Sequence, residues 1–154
     1  MNEIATFAAG CFWGVEETFR HVPGVIDTAV GFSNGRTADP TYEDVCTDTT
    51  GHAEAVQVTF DPAKVTFEEL LKVFWKAHDP TGGSRQEPDS AGQYRSAIFF
   101  HSPEQEASAK KSLAAEEAGR ISKRPIVTQI AAAGPFYRAA EYHQKYLQKS
   151  RMPC

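Results

Sequence analysis

An α/β chain of the α+β kind, a two-layer sandwich with helices packed on a mixed sheet, is predicted by three observations. Strand-type and helical stretches alternate along the sequence in the order β-α-β, β-α-β, α-β, α. Two of the helical stretches carry explicit start signals. The length of 154 residues, 41% of them hydrophobic, suffices for one core and leaves little room for a second. One domain over residues 1–154 is expected, with a mobile tail from about residue 148.

Residues 4–8 are a short apolar stretch of strand type that runs into Gly10. From Cys11 onward, Phe12, Val15, Glu16 and Phe19 recur at steps of three and four, a helical period that Pro23-Gly24 stops. Residues 25–32 alternate, with Val25, Asp27, Ala29 and Gly31 set against Ile26, Thr28, Val30 and Phe32, as a half-buried strand requires. Ser33-Asn34-Gly35 turns the chain into a polar loop containing Pro40. Residues 53–60 alternate again, with Ala55, Gln57 and Thr59 opposed to Val56, Val58 and Phe60. Thr66 then caps a helix, with Glu69 completing a capping box. Phe67, Leu70, Leu71, Phe74 and Trp75 form its apolar stripe, and His78 is next in line.

Asp79-Pro80 ends that helix. Residues 79–92 read as a long Gly/Pro/Asp loop, a kind of segment that is uncommon inside a compact domain and usually functional. Residues 96–100 read as a compact buried strand. Ser102 caps the next helix, with Pro103 at its first position and Gln105 as box partner, and Gly119 or Pro125 ends the region. Residues 126–130 read as a further strand and residues 139–148 as a last short helix.

Composition removes several function classes. Sixteen basic and twenty acidic side chains leave a net charge of −4, so neither nucleic acid nor an anionic membrane is an expected partner. The longest apolar run, residues 7–15, falls far short of the roughly 20 residues a membrane span needs. The start, MNEIATFAAG, lacks the basic region of a secretory signal. Cys11, Cys46 and Cys154 form no Cys-x-x-Cys pair, and three is a poor number for a disulfide framework. A reducing, cytoplasmic setting is expected, with at least one reactive thiol.

Cys11 is the first candidate. It stands where a strand gives way to a helix, between Gly10 and Gly14, and the unpaired N–H groups and dipole of a first helical turn favour a thiolate there. A packed, inert cysteine beside Phe and Trp is the competing reading. Adjacent helical residues face different ways, so one of Phe12 and Trp13 is expected in the core and the other beside an opening next to Cys11. Glu54 opens a strand among Ala53, Ala55 and Val56; desolvation there would keep it protonated and make it a general acid.

His52 forms a His-x-Glu pair with Glu54, but no second cluster at ligand spacing supports a metal, and none is expected. Tyr42, Tyr94 and Asp89 lie in loops, where binding groups concentrate. Glu141, Tyr142 and His143 are further polar candidates. Cys46 reads as a packed thiol, whereas Cys154 in a mobile tail could resolve an oxidised sulfur elsewhere.

Gly10-Cys11-Phe12-Trp13-Gly14 is followed in order by Gly-Phe-Ser-Asn-Gly, Pro-Thr-Tyr-Glu-Asp-Val-Cys, Thr-Gly-His-Ala-Glu-Ala-Val, His-Asp-Pro-Thr, Gln-Tyr-Arg-Ser and Glu-Tyr-His-Gln. This set closely resembles the peptide methionine sulfoxide reductase A family, from about residue 4 to residue 146. The resemblance implies a ferredoxin-like topology with long coil segments around the active site. It implies reduction of methionine S-sulfoxide, in proteins and as the free amino acid, as repair of oxidative damage. Cys11 would attack the sulfoxide sulfur and Glu54 would protonate its oxygen. Tyr42 and Tyr94 would bind that oxygen, Phe12 and Trp13 would hold the S-methyl group, and Asp89 would support the site through water. In the 89–94 loop the glycine, Gly92, stands one place later than in the family pattern.

The resemblance further implies a sulfenic acid at Cys11, resolved to a disulfide by Cys154, or by Cys46 or an external thiol where Cys154 does not reach, and recycled by thioredoxin, or by dithiothreitol in vitro, with no bound cofactor. A monomer is expected. Two other classes compete. A cysteine hydrolase or acyltransferase would pair Cys11 with His52 or His143, and a non-catalytic module would bind methionine-bearing peptides through Phe12 and Trp13.

Overall fold

The computed structural model describes residues 2–10, 12–35, 37–38, 40–42, 44, 50–78, 95–119, 126–139 and 143–145. Along these the elements run β1 (Glu3–Ala9), α1 (Phe12–Arg20), β2 (Val25–Ser33), β3 (Ala53–Phe60), α2 (Phe67–Ala77), β4 (Ser96–Phe100), α3 (Pro103–Ala118), β5 (Gln129–Ala132) and β6 (Phe136–Arg138). They form a mixed six-stranded sheet in the order β5-β4-β1-β3-β2-β6. The pairing is antiparallel except between β4 and β5, which run parallel.

Side-chain alternation decides which face carries the core. The registers Phe7↔Val56, Phe7↔Ile98 and Val30↔Val56 put these large residues on one face. Helix side chains cover them: the Phe7 ring stacks on Phe19 at 4.9 Å and lies 5.4 Å from Phe74 and 6.0 Å from Phe67. Here α1 and α2 both contribute their apolar stripes, while α3 packs against α2 and the β4–β5 edge. The other face carries a smaller cluster of Ala8, Ala53, Ala97 and Phe99, joined by Ala131 and Ala133.

The local signals act where they are written. In α1 the buried positions are Phe12, Val15, Glu16 and Phe19, the set that the period predicts. Gly24 takes φ +98°, and a Cβ there would lie 2.7 Å from Val65, so only glycine can make this turn. Thr66 accepts from the Glu69 N–H while Glu69 accepts from the Thr66 N–H, a complete capping box on α2. At α3, Ser102 accepts from the Gln105 N–H, but the Gln105 side-chain Oε1 takes the N–H of His101 instead of that of the cap. The Gln105 amide also donates to the Ile4 carbonyl, which ties α3 to β1.

Four further expectations change. A bulge between Val25 and Asp27 shifts the register, so Val25 packs on the core and Ile26 stands 54% exposed. The strand expected over residues 126–130 begins later, at Gln129, where parallel pairing with β4 starts. Lys145 takes φ +51°, a left-handed conformation that no α-helix contains, so the expected helix over residues 139–148 does not run through it. Strand β6 was not expected; it follows Gly134-Pro135 and is defined by its pairing with β2.

The two edges of the sheet meet at one end. Strands β5 and β6 lie at opposite edges yet are joined by only residues 133–135. Asn34, at φ +63° beyond β2, clamps that link by donating to the Ala132 carbonyl and accepting from the Gly134 N–H. The Arg95 guanidinium donates to the Asn34 carbonyl and to the Gln129 side chain, which draws the start of β4 into the same closure. The sheet is therefore curled.

Candidate active site

The end of β1 and the first turn of α1 are separated by Gly10 and Cys11. Gly10 takes φ +99°, the reversal that lets strand pass directly into helix. Cys11 itself, with Cys46, Asp89, Tyr94 and Cys154, lies outside the described residues, as do Glu141, Tyr142 and the 79–92 loop. The described residues on either side of Cys11 in sequence are Gly10 and Phe12.

Glu54 is 1% exposed. It sits near the start of β3 opposite Phe32, on the face that α1 covers. Its Oε1 accepts a 3.1 Å hydrogen bond from the Phe12 N–H, the amide that follows Cys11 in the chain. The first turn of a helix has N–H groups with no intrahelical acceptor, so a carboxyl at this position completes the helix start.

Burial divides the aromatic neighbours, one in the core and one only partly covered. Phe12 is fully buried, 5.6 Å from the Phe32 ring and 6.3 Å from Tyr42. Trp13 is only partly buried, and its indole N–H donates to His143 Nδ1 at 3.0 Å. The imidazole of His143 is buried and central to the group. Its ring lies 4.7 Å from Tyr42, 5.5 Å from Phe12 and 5.7 Å from Trp13. Phe12, Trp13, Tyr42 and Glu54 are thus gathered at one end of the sheet, with His143 as the fifth member.

Accepting at Nδ1 places the proton of a neutral His143 on Nε2, so this ring is a donor there and not a base. His52 is equally committed. Its Nδ1 accepts from the Gly35 N–H at 3.0 Å and its Nε2 donates to the Thr37 carbonyl at 2.7 Å. Both imidazoles serve as fasteners, so neither fits the base that a cysteine hydrolase needs. Among the described residues no group of three or more His, Cys, Asp or Glu could hold a metal ion. Nor is any helix long and apolar enough to cross a membrane.

Three structural supports near the site were not singled out from the sequence. Gln144 imitates a strand residue: its side chain accepts from the Val30 N–H and donates to the Val30 and Ala139 carbonyls, extending β2 pairing beyond β6. His78 donates from Nδ1 to the Phe74 carbonyl and meets the Ser96 hydroxyl at Nε2, and that hydroxyl meets Thr128. Glu16, on the core stripe of α1, is 1% exposed. Only its charge at a predicted core position could have marked it out.

Solved structures define the class first. Methionine sulfoxide reductase A of Corynebacterium diphtheriae is 40% identical, with a TM-score of 0.83 over 99% of this chain and 77% of that one. Mxr1 of Saccharomyces cerevisiae in reduced form is 34% identical, with a TM-score of 0.86 over 99% and 88%. Mxr1 is also solved in complex with Trx2; that chain is 29% identical, with a TM-score of 0.65 over 94% and 84%. The fold is that of the methionine sulfoxide reductases, a class of oxidoreductases.

Sequence comparison then narrows the assignment. The family description "Peptide methionine sulfoxide reductase" matches residues 3–154. The enzyme named MsrA from Methanoculleus marisnigri is 59% identical over 147 residues, 96% of this chain and 90% of its own length. The chain belongs to the peptide methionine sulfoxide reductase family and is an oxidoreductase of the A type.

Proposed function

We propose that this chain reduces the S epimer of methionine sulfoxide, in proteins and as the free amino acid, through a sulfenic acid at Cys11. The observation that carries the proposal is the buried Glu54 carboxyl on the Phe12 amide, beside an aromatic enclosure. A sulfoxide presents a polar oxygen and an apolar methyl group on the same sulfur. Its site needs a proton donor on one side and an apolar wall on the other.

Glu54 is the donor. Burial disfavours a charged carboxylate, so the acid form is held ready for transfer to the sulfoxide oxygen. Protonation makes the sulfur electrophilic, and the Cys11 thiolate attacks it. The S–O oxygen passes to Cys11 as a sulfenic acid and the thioether leaves as methionine. Tyr42 and Tyr94 hold the oxygen, Phe12 and Trp13 hold the methyl group, and Asp89 supports the loop of Tyr94 through water.

The Cys154 thiol then condenses with the sulfenic acid, forming a Cys11–Cys154 disulfide and releasing water. Thioredoxin, or dithiothreitol in vitro, returns both sulfurs to thiols, with no bound cofactor; the solved complex of Mxr1 with Trx2 supports this partner. The β4-β1-β3-β2 order supports reading the β-α-β-β-α-β core as ferredoxin-like. A monomeric, cytoplasmic repair enzyme, one domain with a mobile tail from about residue 148, completes the reading.

Intact mass and peptide mapping after one equivalent of methionine sulfoxide test the scheme. The expected result is one methionine released per chain and loss of two hydrogens as a Cys11–Cys154 disulfide. The Cys154→Ser variant is expected to stop at the sulfenic acid. Turnover by Cys11→Ser, or a disulfide that excludes Cys11, would overturn the assignment.

A further inference from the structure

Glu16 is a fully buried carboxylate that the proposed reaction does not use. It lies on α1 one turn beyond Phe12 and Trp13, facing β2. Its Oε2 accepts from the Thr28 hydroxyl at 2.7 Å. Its Oε1 accepts from the backbone N–H of Lys145 at 2.6 Å, across 129 residues of sequence. The Lys145 ammonium stands 3.8 Å from Glu16, donates to the Thr28 carbonyl at 3.0 Å and pairs with Asp27 at 3.3 Å.

The turn held by these bonds is unusual. Lys145 takes φ +51°, a conformation that side chains other than glycine adopt only when their surroundings impose it. Two residues earlier, His143 accepts the Trp13 indole N–H and packs against Phe12 and Tyr42. Between them, Gln144 is fastened to Val30. Three successive residues outside any strand or α-helix thus reach α1, then β2, then α1 again.

We infer that Glu16 is a positioning residue for the substrate's methyl pocket: by holding the Lys145 amide it docks the 143–145 turn, which in turn sets the Trp13 indole. It touches no substrate and acts through His143. The inference rests on the reading of Trp13 as a pocket wall and extends it to the residue that aims that wall. A carboxylate suits the task because a charge-assisted bond to a backbone N–H is short and strong. No sequence change at residue 145 can remove that donor, proline excepted.

The test uses Glu16→Met, which fills similar space without an acceptor, and Glu16→Gln, which keeps one. A glutamine can still accept from Lys145, and its amide can donate to the Thr28 hydroxyl, which accepts as readily as it donates. Indole N–H resonances give the direct readout, because the chain has two tryptophans. Trp75 donates to Ser112, far from the turn, and serves as an internal standard. Glu16→Met is expected to shift the Trp13 resonance, assigned with Trp13→Phe, and to leave that of Trp75 in place. It is expected to raise KM for methionine sulfoxide about tenfold, the scale of one charge-assisted hydrogen bond, with kcat changed less than about twofold. Glu16→Gln should restore both readouts. Thr28→Val, which removes the other partner of Glu16, should change neither.

An unmoved Trp13 resonance with parent KM in Glu16→Met would overturn the inference. If Trp13→Phe itself leaves KM unchanged, the wall reading fails instead, and the resonance alone still decides the role of Glu16. Should Glu16→Met not fold, hydrogen exchange of the Lys145 amide in the parent protein decides: strong protection supports the clamp, and exchange at the rate of an open chain refutes it.

Discussion

Replacing Glu54 by glutamine separates the structural task of this carboxyl from the chemical one proposed for it. The structural task is the 3.1 Å bond from the Phe12 N–H to Oε1. A glutamine oxygen can accept the same bond, so the helix start stays satisfied and stability should fall by no more than about 1 kcal/mol. The proposed chemical task is proton donation, which an amide cannot perform. Loss of a positioned general acid costs about 10²–10⁴ in rate, or about 3–5 kcal/mol in the barrier.

Alanine is the contrasting change. It removes the acid and also leaves the buried Phe12 N–H without its acceptor, which adds a stability loss of about 1–3 kcal/mol. The assay is rapid-quench measurement of methionine released in a single turnover, before any disulfide is reduced, alongside urea denaturation of each variant. The expected pattern is a normal midpoint with a slow first step for Glu54→Gln, and a slow first step with a lowered midpoint for Glu54→Ala. A parent-like single-turnover rate in Glu54→Gln would refute the acid role, whatever alanine does.

Other outcomes follow from the same geometry. His52→Ala frees the Gly35 N–H and the Thr37 carbonyl and should lower stability by about 1–3 kcal/mol in urea melts; Cys11 alkylation rates at neutral pH should stay within a few-fold of the parent, whereas removal of a hydrolase base would leave the thiol unreactive. Phe7→Ala empties the centre of the aromatic core and should cost about 3–5 kcal/mol by chemical denaturation. Burial holds the His101 imidazole below its usual 6.5, so the folded protein binds its proton less readily than the unfolded chain. The resulting stability is full above about pH 6.5 and is lost as pH falls toward the depressed value. His101→Gln should flatten the stability profile in that window, as read by urea midpoints at stepped pH.

Local chemistry explains what was legible in the chain. The stripe Phe67, Leu70, Leu71, Phe74, Trp75 and the Thr66–Glu69 box depend on residues within one or two helical turns, and both appear as read. The alternation of residues 53–60 likewise sorted the face of Val56, Val58 and Phe60 correctly. Ile26 was misplaced because a bulge inserts one residue, and nothing in an alternating pattern announces where the count slips. Strand β6 is three residues long and exists only because β2 offers it an edge.

The candidate site divides along the same line. Glu54, Phe12 and Trp13 could be named from their neighbours in sequence and from family resemblance, and the structure gathers them with Tyr42. The central place of His143 and the clamp of Glu16 on Lys145 join residues more than a hundred positions apart.

The amino-acid order alone determined where α2 starts and stops, which stripes of α1 and α2 turn inward, and which cysteine stands at a strand–helix junction. These follow from backbone sterics, capping and periodicity, all of which act over a few residues. Only the tertiary structure decided how the sheet curls through Asn34, how Glu54 meets the amide after Cys11, and how the turn at residues 143–145 closes the aromatic enclosure. Such contacts depend on how the whole chain packs, because a hydrogen bond between distant residues has no signature until the fold brings its partners together.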